Sequence, residues 1–404
     1  MHLINKISFE RWAFASFIIL AFFGAILRYM LCLPLPALSY MNILHAHSHY
    51  AFGGWIFLAL VILITRLMPE HRPAAFKWLM FMALLSSLGM LISFSVQGYK
   101  AISIAFSTLF LLITYWFAWL VYPKLSLKDA PNASLFLKAG IWCLVISSIG
   151  PLALGALKAS GNTGPVYQNA IYFYLHFQMN GWMLLTVLGL AFKDFFNIDH
   201  SSHHKIRPWI YAFIFSGFPL FFIFTLWSKP SSWLVEIAFI AALVNAVSWF
   251  GILQQSFCWL KKAPLMIQVA LLAVSLKVVF QILVCIPQIG DWTFSNRNLI
   301  IGYVHLITLG CVTPILLHLF SRHLNLKNIE RSYIALVIFY LFLLFIQPVL
   351  SLYKIMIPNY QQLLLGVSLL FCYSGICYYR KLYGTPIRKH VIKQQFHISL
   401  TRLF

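Results

Sequence analysis

Asn42-Ile43-Leu44-His45-Ala46-His47-Ser48-His49-Tyr50-Ala51-Phe52-Gly53-Gly54 opens a run that stays almost wholly apolar as far as Leu67. About twenty apolar residues suffice to cross a bilayer as a helix. Few such runs begin with three imidazoles. An ionisable group inside a membrane is costly, so its presence points to function. At helical spacing His45 and His49 share one face, one turn apart, and His47 points nearly opposite. Gly53 and Gly54 follow, where missing side chains let a flat group or another helix come close.

Working outward, similar apolar runs lie near 12–33, 43–67, 76–97, 102–122, 135–157, 168–192, 207–227, 232–256, 264–287, 299–321, 332–352 and 360–379. Of the 404 residues 61% are hydrophobic and only 9% charged, too little charge for a water-facing surface. The expected fold is an all-α integral membrane protein of twelve transmembrane helices. Residues 1–404 form a single transmembrane domain, because the only sizeable hydrophilic segments are the 193–206 loop and the 380–404 tail. The first apolar run is too long for a signal peptide and has no small-residue cleavage site behind it.

With both ends on one side, that side holds 22 of the 29 Lys and Arg residues, six face the other way, and Lys277 falls inside a span. The positive-inside rule then places both termini in the cytoplasm of a bacterial cell with a multi-pass protein in its cytoplasmic (inner) membrane. The net charge of +21 is accounted for by short loops facing anionic lipid, and no nucleic-acid partner is needed. The tail, with Arg380, Lys381, Arg388, Lys389, Lys393 and Arg402, is expected to lie on the cytoplasmic membrane surface. The seven cysteines match neither a zinc site nor a disulfide framework and read as small packing residues.

Two further spans carry a histidine about two turns in from the outer side. His305 lies in Ile301-Gly302-Tyr303-Val304-His305-Leu306-Ile307-Thr308-Leu309-Gly310. His176 lies in the sixth run, one turn above Asn180. Facing imidazoles on two helices can hold one haem iron. His305 with His45 or His49 is the expected pair, and His47 is either interfacial or a ligand for copper. His176 with Asn180 is either a functional pocket or a structural polar pair. Arg28, near the outer end of the first run, either pairs with haem propionates or snorkels to headgroups. Glu236 and Lys277 belong to a proton path, to a helix–helix ion pair or to a haem-edge contact. His200, His203 and His204 beside Asp199 read as a solvated loop, and His318 and His323 as interfacial groups.

On these residues the chain resembles subunit I of the haem–copper oxidase and nitric-oxide reductase superfamily. Leu44-His45-Ala46-His47 with Phe52-Gly53-Gly54 looks like its second-helix segment, and Ile301-Gly302-Tyr303-Val304-His305 looks like its tenth-helix segment. The resemblance implies one low-spin haem b held by His45 and His305, with His176 matching a copper ligand. It also implies a quinol or cytochrome c donor and a partner subunit. Two departures stand out. Tyr303 replaces the histidine that would hold a second, catalytic haem, and the seventh run has no histidine to complete the copper site. The implied role is therefore electron transfer, with oxidoreductase activity of the oxidase kind left open. His45-Ala46-His47 and His305-Leu306-Ile307-Thr308-Leu309-Gly310 also look like the NnrS family of haem- and copper-associated proteins of the nitric-oxide response, which implies a non-enzymatic role. A transporter lined by Asn180, Glu236 and Lys277 is a third reading.

Overall fold

The computed structural model describes residues 2–68, 75–195 and 200–384. The tail beyond Gly384, Arg72, and the imidazoles of His200 and His203 lie outside the described residues. The described residues are 86% helical and include no strand. Among the described residues, twelve helices are long and apolar enough to cross a membrane: Phe9–Cys32, Tyr40–Arg66, Phe76–Gln97, Ala101–Lys124, Pro131–Ala159, Pro165–Phe195, His204–Ser228, Ser232–Gln255, Leu265–Val284, Arg297–Ser321, Lys327–Leu352 and Tyr360–Tyr383. The expected all-α, twelve-span architecture is the one observed, with helix ends shifted by a few residues.

The second, sixth and tenth spans form the centre. Their most apolar windows are 83%, 89% and 61% buried, against 33–50% for the other nine. Each is clasped by its chain neighbours: the second by the first and third, the sixth by the fifth and seventh, the tenth by the ninth and eleventh. The three also touch one another, and the first span packs along the twelfth, closing the outer ring. In lipid, close packing does much of the work of association, and small residues let backbones approach. A Cβ on Gly181 would lie 2.5 Å from that of Cys143, which shows how tightly the fifth and sixth spans meet. All seven cysteines are free thiols.

Each central span changes pitch at a similar level. Ala51–Phe57, Phe177–Met183 and Leu306–Val312 are π-helical, each within an otherwise α-helical span. Each begins roughly fifteen to eighteen residues before the inner end of its span, or about 25 Å along the axis at 1.5 Å per residue. The wider turn follows directly after His176 and His305, and begins two residues after His49. Such π-segments inside α-helices recur at functional sites.

The inner ends of the same three spans are latched by ions. Arg66 meets Glu10 of the first span at 2.5 Å. Lys193 bonds Asp129, whose carboxyl is thereby held below its usual range. Arg322 reaches across from the tenth span to Asp194 at the end of the sixth. His318, expected as an interfacial group, is buried and pairs with Glu330 at 3.2 Å.

Candidate functional site

The 100° turn per residue divides the histidines of the second span between two neighbourhoods. His45 and His49 face the third span. The His49 ring stacks on Phe94 with centroids 4.4 Å apart, and its Nε2 bonds the Tyr99 hydroxyl at 2.7 Å. The His45 ring lies edge-on to Tyr99 at 4.7 Å. His47 looks the other way, beside Leu20 and Gly24 of the first span, and within electrostatic reach of His305 and Arg28. The structure thus brings His47 towards His305, where the sequence pointed to His45 or His49. Helical periodicity separates the two faces, but which face meets the tenth span is a property of the bundle.

His305 is held for ligation. Its Nδ1–H donates to the Ile301 carbonyl at 2.8 Å, one turn back, which leaves the Nε2 lone pair free. A metal-binding imidazole almost always donates its other ring N–H in this way, which sets the tautomer and the ring plane. The Tyr340 ring of the eleventh span packs edge-on at 5.4 Å. Deeper in the membrane, Trp55 of the second span donates to Thr313 of the tenth at 3.4 Å, tying the two helices together.

Arg28 does not snorkel. It is buried, its Nη2 donates to the Tyr340 hydroxyl at 2.8 Å, and its guanidinium lies 5.6 Å from that ring. Among the described residues no carboxylate pairs with it. A buried charge without a counter-ion is strongly unfavourable. His47 bonds the backbone of Leu20, and its buried Nδ1 is left without a hydrogen-bond partner. His47 and His305 are both half-buried. Gly24 lies against His47, since a Cβ there would come within 3.3 Å of His47 Cε1.

Gly53 and Gly54 serve other contacts. A Cβ on Gly53 would strike Ser87 of the third span at 2.7 Å, and one on Gly54 would meet the ring of Tyr50 at 2.5 Å. Both therefore admit protein side chains, and neither borders the space between His47 and His305 through the contacts it makes.

His176 has a different environment. It is buried, and both ring nitrogens are bonded: Nε2–H to the Gly217 carbonyl at 2.8 Å, and Nδ1 to the Asn180 amide at 3.4 Å. Asn180 Oδ1 in turn accepts from the Tyr303 hydroxyl at 3.0 Å, and that oxygen accepts from Gln281 Nε2 at 2.8 Å. Tyr303, a candidate haem-binding residue, is thus linked through Asn180 to His176, a candidate copper ligand. A cavity of about 20 Å³ adjoins them, bordered by Cys143, Asn245 and Lys277. That is room for one water molecule. Among the described residues no group of three or more His, Cys, Asp or Glu side chains could hold a metal ion.

Lys277 is buried, with its ammonium 5.8 Å from the Phe213 ring. Glu236 is exposed, and the two do not pair. Trp182 packs on Phe57 and Phe117. Sequence reasoning gave no role to Tyr340 or Gly24, and neither carries a motif that would have exposed one. The chain matches no protein-family model and no curated protein significantly.

Proposed function

We propose that this chain is a haem-binding electron-transfer protein of the bacterial cytoplasmic membrane, in which His47 and His305 would hold one low-spin b-type haem. The observation that carries this reading is a set of unmet demands on three residues within electrostatic reach of one another. They are the free Nε2 of His305, the unpartnered Nδ1 of His47 and a buried Arg28 with no acid beside it. These residues fit a haem: two imidazoles for the iron and a guanidinium for the propionates. When bound, the group would supply a one-electron couple. The protein orients the His305 ring, excludes water with Tyr340 and the surrounding helices, and balances carboxylate charge with Arg28.

Three central spans with a histidine in each agree with the resemblance to subunit I of the haem–copper oxidases. The ring nitrogens of His176 and the hydroxyl of Tyr303 are all engaged with protein partners, which favours electron transfer over chemistry at a second metal centre. The concentration of Lys and Arg on one face supports the cytoplasmic-membrane placement.

A reduced-minus-oxidised absorption spectrum of the detergent-purified protein, repeated under carbon monoxide, tests the reading. Sharp low-spin b-type bands unmoved by the gas are expected. A shifted Soret band would mean an open iron and a gas-binding role like that of the NnrS family. Protein that cannot take up haem would sink the proposal.

A further inference from the structure

The hydrogen-bonded chain through His176 has a direction, and its direction defines a ligand. It starts at a backbone carbonyl, which can only accept. The seventh span passes from α-helix to 3₁₀-helix at this point, and the amide of Phe221 bonds the Phe218 carbonyl. The Gly217 carbonyl is thus left to the imidazole. His176 must therefore carry its proton on Nε2 and present Nδ1 as an acceptor. Asn180 then turns its NH₂ to the imidazole and its oxygen to Tyr303, Tyr303 donates to that oxygen, and Gln281 donates to Tyr303. The last group is Gln281 Oε1. It is buried and has no donor.

Gln281 and Tyr303 border an apolar groove of about 270 Å³ between the seventh, ninth, tenth and eleventh spans, covered on the outer side by the short helix Pro287–Ser295. Phe224, Phe280, Trp292 and Phe345 supply aromatic walls. Leu283 and Val349 line the groove and are themselves 37% and 39% exposed on the outside of the bundle, so it opens towards lipid. An apolar cavity with a few polar groups at one end is the usual form of a small-molecule site.

We infer that this groove binds a hydroquinone carried in the membrane, its ring between the aromatic walls and one hydroxyl donating to Gln281 Oε1. The oxidised quinone offers only acceptors and would set its carbonyl against that oxygen. A lipid tail would leave the oxygen unpaired, at the cost attached to a buried acceptor without a donor. Aromatic walls favour a flat ring over an aliphatic chain. The inference deepens the electron-transfer reading by naming the class of its reductant, but binding itself needs no haem.

The test is calorimetric titration of the purified full-length protein with a short-chain benzoquinol and, separately, with the matching quinone. The quinol should bind roughly tenfold more tightly, the worth of one hydrogen bond. Gln281→Leu should abolish that preference, and Gln281→Glu, which keeps an acceptor, should retain it. Val349→Trp, at the mouth, should weaken both ligands together. Equal binding of the two forms, a preference for the quinone, a preference that survives Gln281→Leu, or equal binding of a long-chain aliphatic alcohol would each overturn the assignment. Quinol preference in protein that takes up no haem would remove the first reading and leave this one intact.

Discussion

Two histidine sites in one bundle differ in how completely the protein satisfies them. At His176 every ring nitrogen meets a protein partner, and its neighbours Asn180 and Tyr303 are bonded in turn. At His305 one nitrogen is bonded and the other is free, His47 carries an unpartnered nitrogen, and Arg28 has no acid. Both lie beside a π-helical turn, so backbone geometry does not separate them. A buried imidazole with both nitrogens bonded is part of the framework. One held by a single bond, facing another imidazole and a lone cation, is arranged for something the protein does not itself supply.

The largest expected effect breaks this contrast outright. His47→Ala and His305→Ala should each abolish the low-spin spectrum, while His45→Ala and His49→Ala should preserve it. Absorption spectra of the four variants, normalised to protein, are the measurement. Loss of haem from His45→Ala with His47→Ala intact would reverse the assignment and restore the pairing first read from the sequence.

Arg28→Gln should act next in size. Removing this cation takes away a charge that favours the reduced, less positive iron. The midpoint potential should fall by roughly 60 mV, which is tenfold for a one-electron couple. Arg28→Lys should recover part of that fall, because charge returns without the fork geometry. A redox titration in which Arg28→Gln leaves the potential unmoved would place the propionates elsewhere.

How much of this was legible beforehand depends on which physical quantity each feature reports. Twelve spans could be counted because apolar length is a local property, and the three central histidines were visible as costly exceptions within it. The helical repeat placed His45 and His49 opposite His47. Choosing between those faces required knowing that the third span lies on one side, and the first and tenth on the other. Gly53 and Gly54 show the same limit: a glycine marks close approach without saying what approaches, and at Gly53 it is the neighbouring third span. Tyr340 and Gly24 gave no signal, since an aromatic and a small residue in apolar helices are ordinary until a neighbour such as Arg28 or His47 is placed beside them. The π-helical turns have no sequence pattern that composition or hydrophobic period would reveal.

The fully bonded site yields a smaller effect of a different kind. His176→Phe removes the donor to the Gly217 carbonyl and the acceptor of the Asn180 amide. It should cost about 1–3 kcal/mol of stability for the groups left unpaired while leaving the haem spectrum as it was. Thermal unfolding in detergent, read beside the spectrum, separates the two. A variant of unchanged stability but altered haem bands would show that His176 belongs to the cofactor site after all.

The smallest effect is also the most discriminating, because it should change sign with the cofactor. In an exposed helix alanine is favoured over glycine by up to about 1 kcal/mol. At Gly366, where an added Cβ would meet nothing within 4 Å, Gly366→Ala should therefore be neutral or stabilising whether or not haem is present. At Gly24 the new Cβ would stand 3.3 Å from His47 Cε1, so the imidazole must give by a few tenths of an ångström. A ring held only by its bond to the Leu20 backbone can turn to do so, and the haem-free protein should tolerate Gly24→Ala nearly as readily as Gly366→Ala. A ring held to iron cannot turn without straining that bond, so haem should bind less tightly to Gly24→Ala, by less than the roughly tenfold worth of one hydrogen bond. Haem-transfer competition between the two variants would register the difference, and equal retention would mean that His47 is as free in the holoprotein as in the apoprotein, and not a ligand.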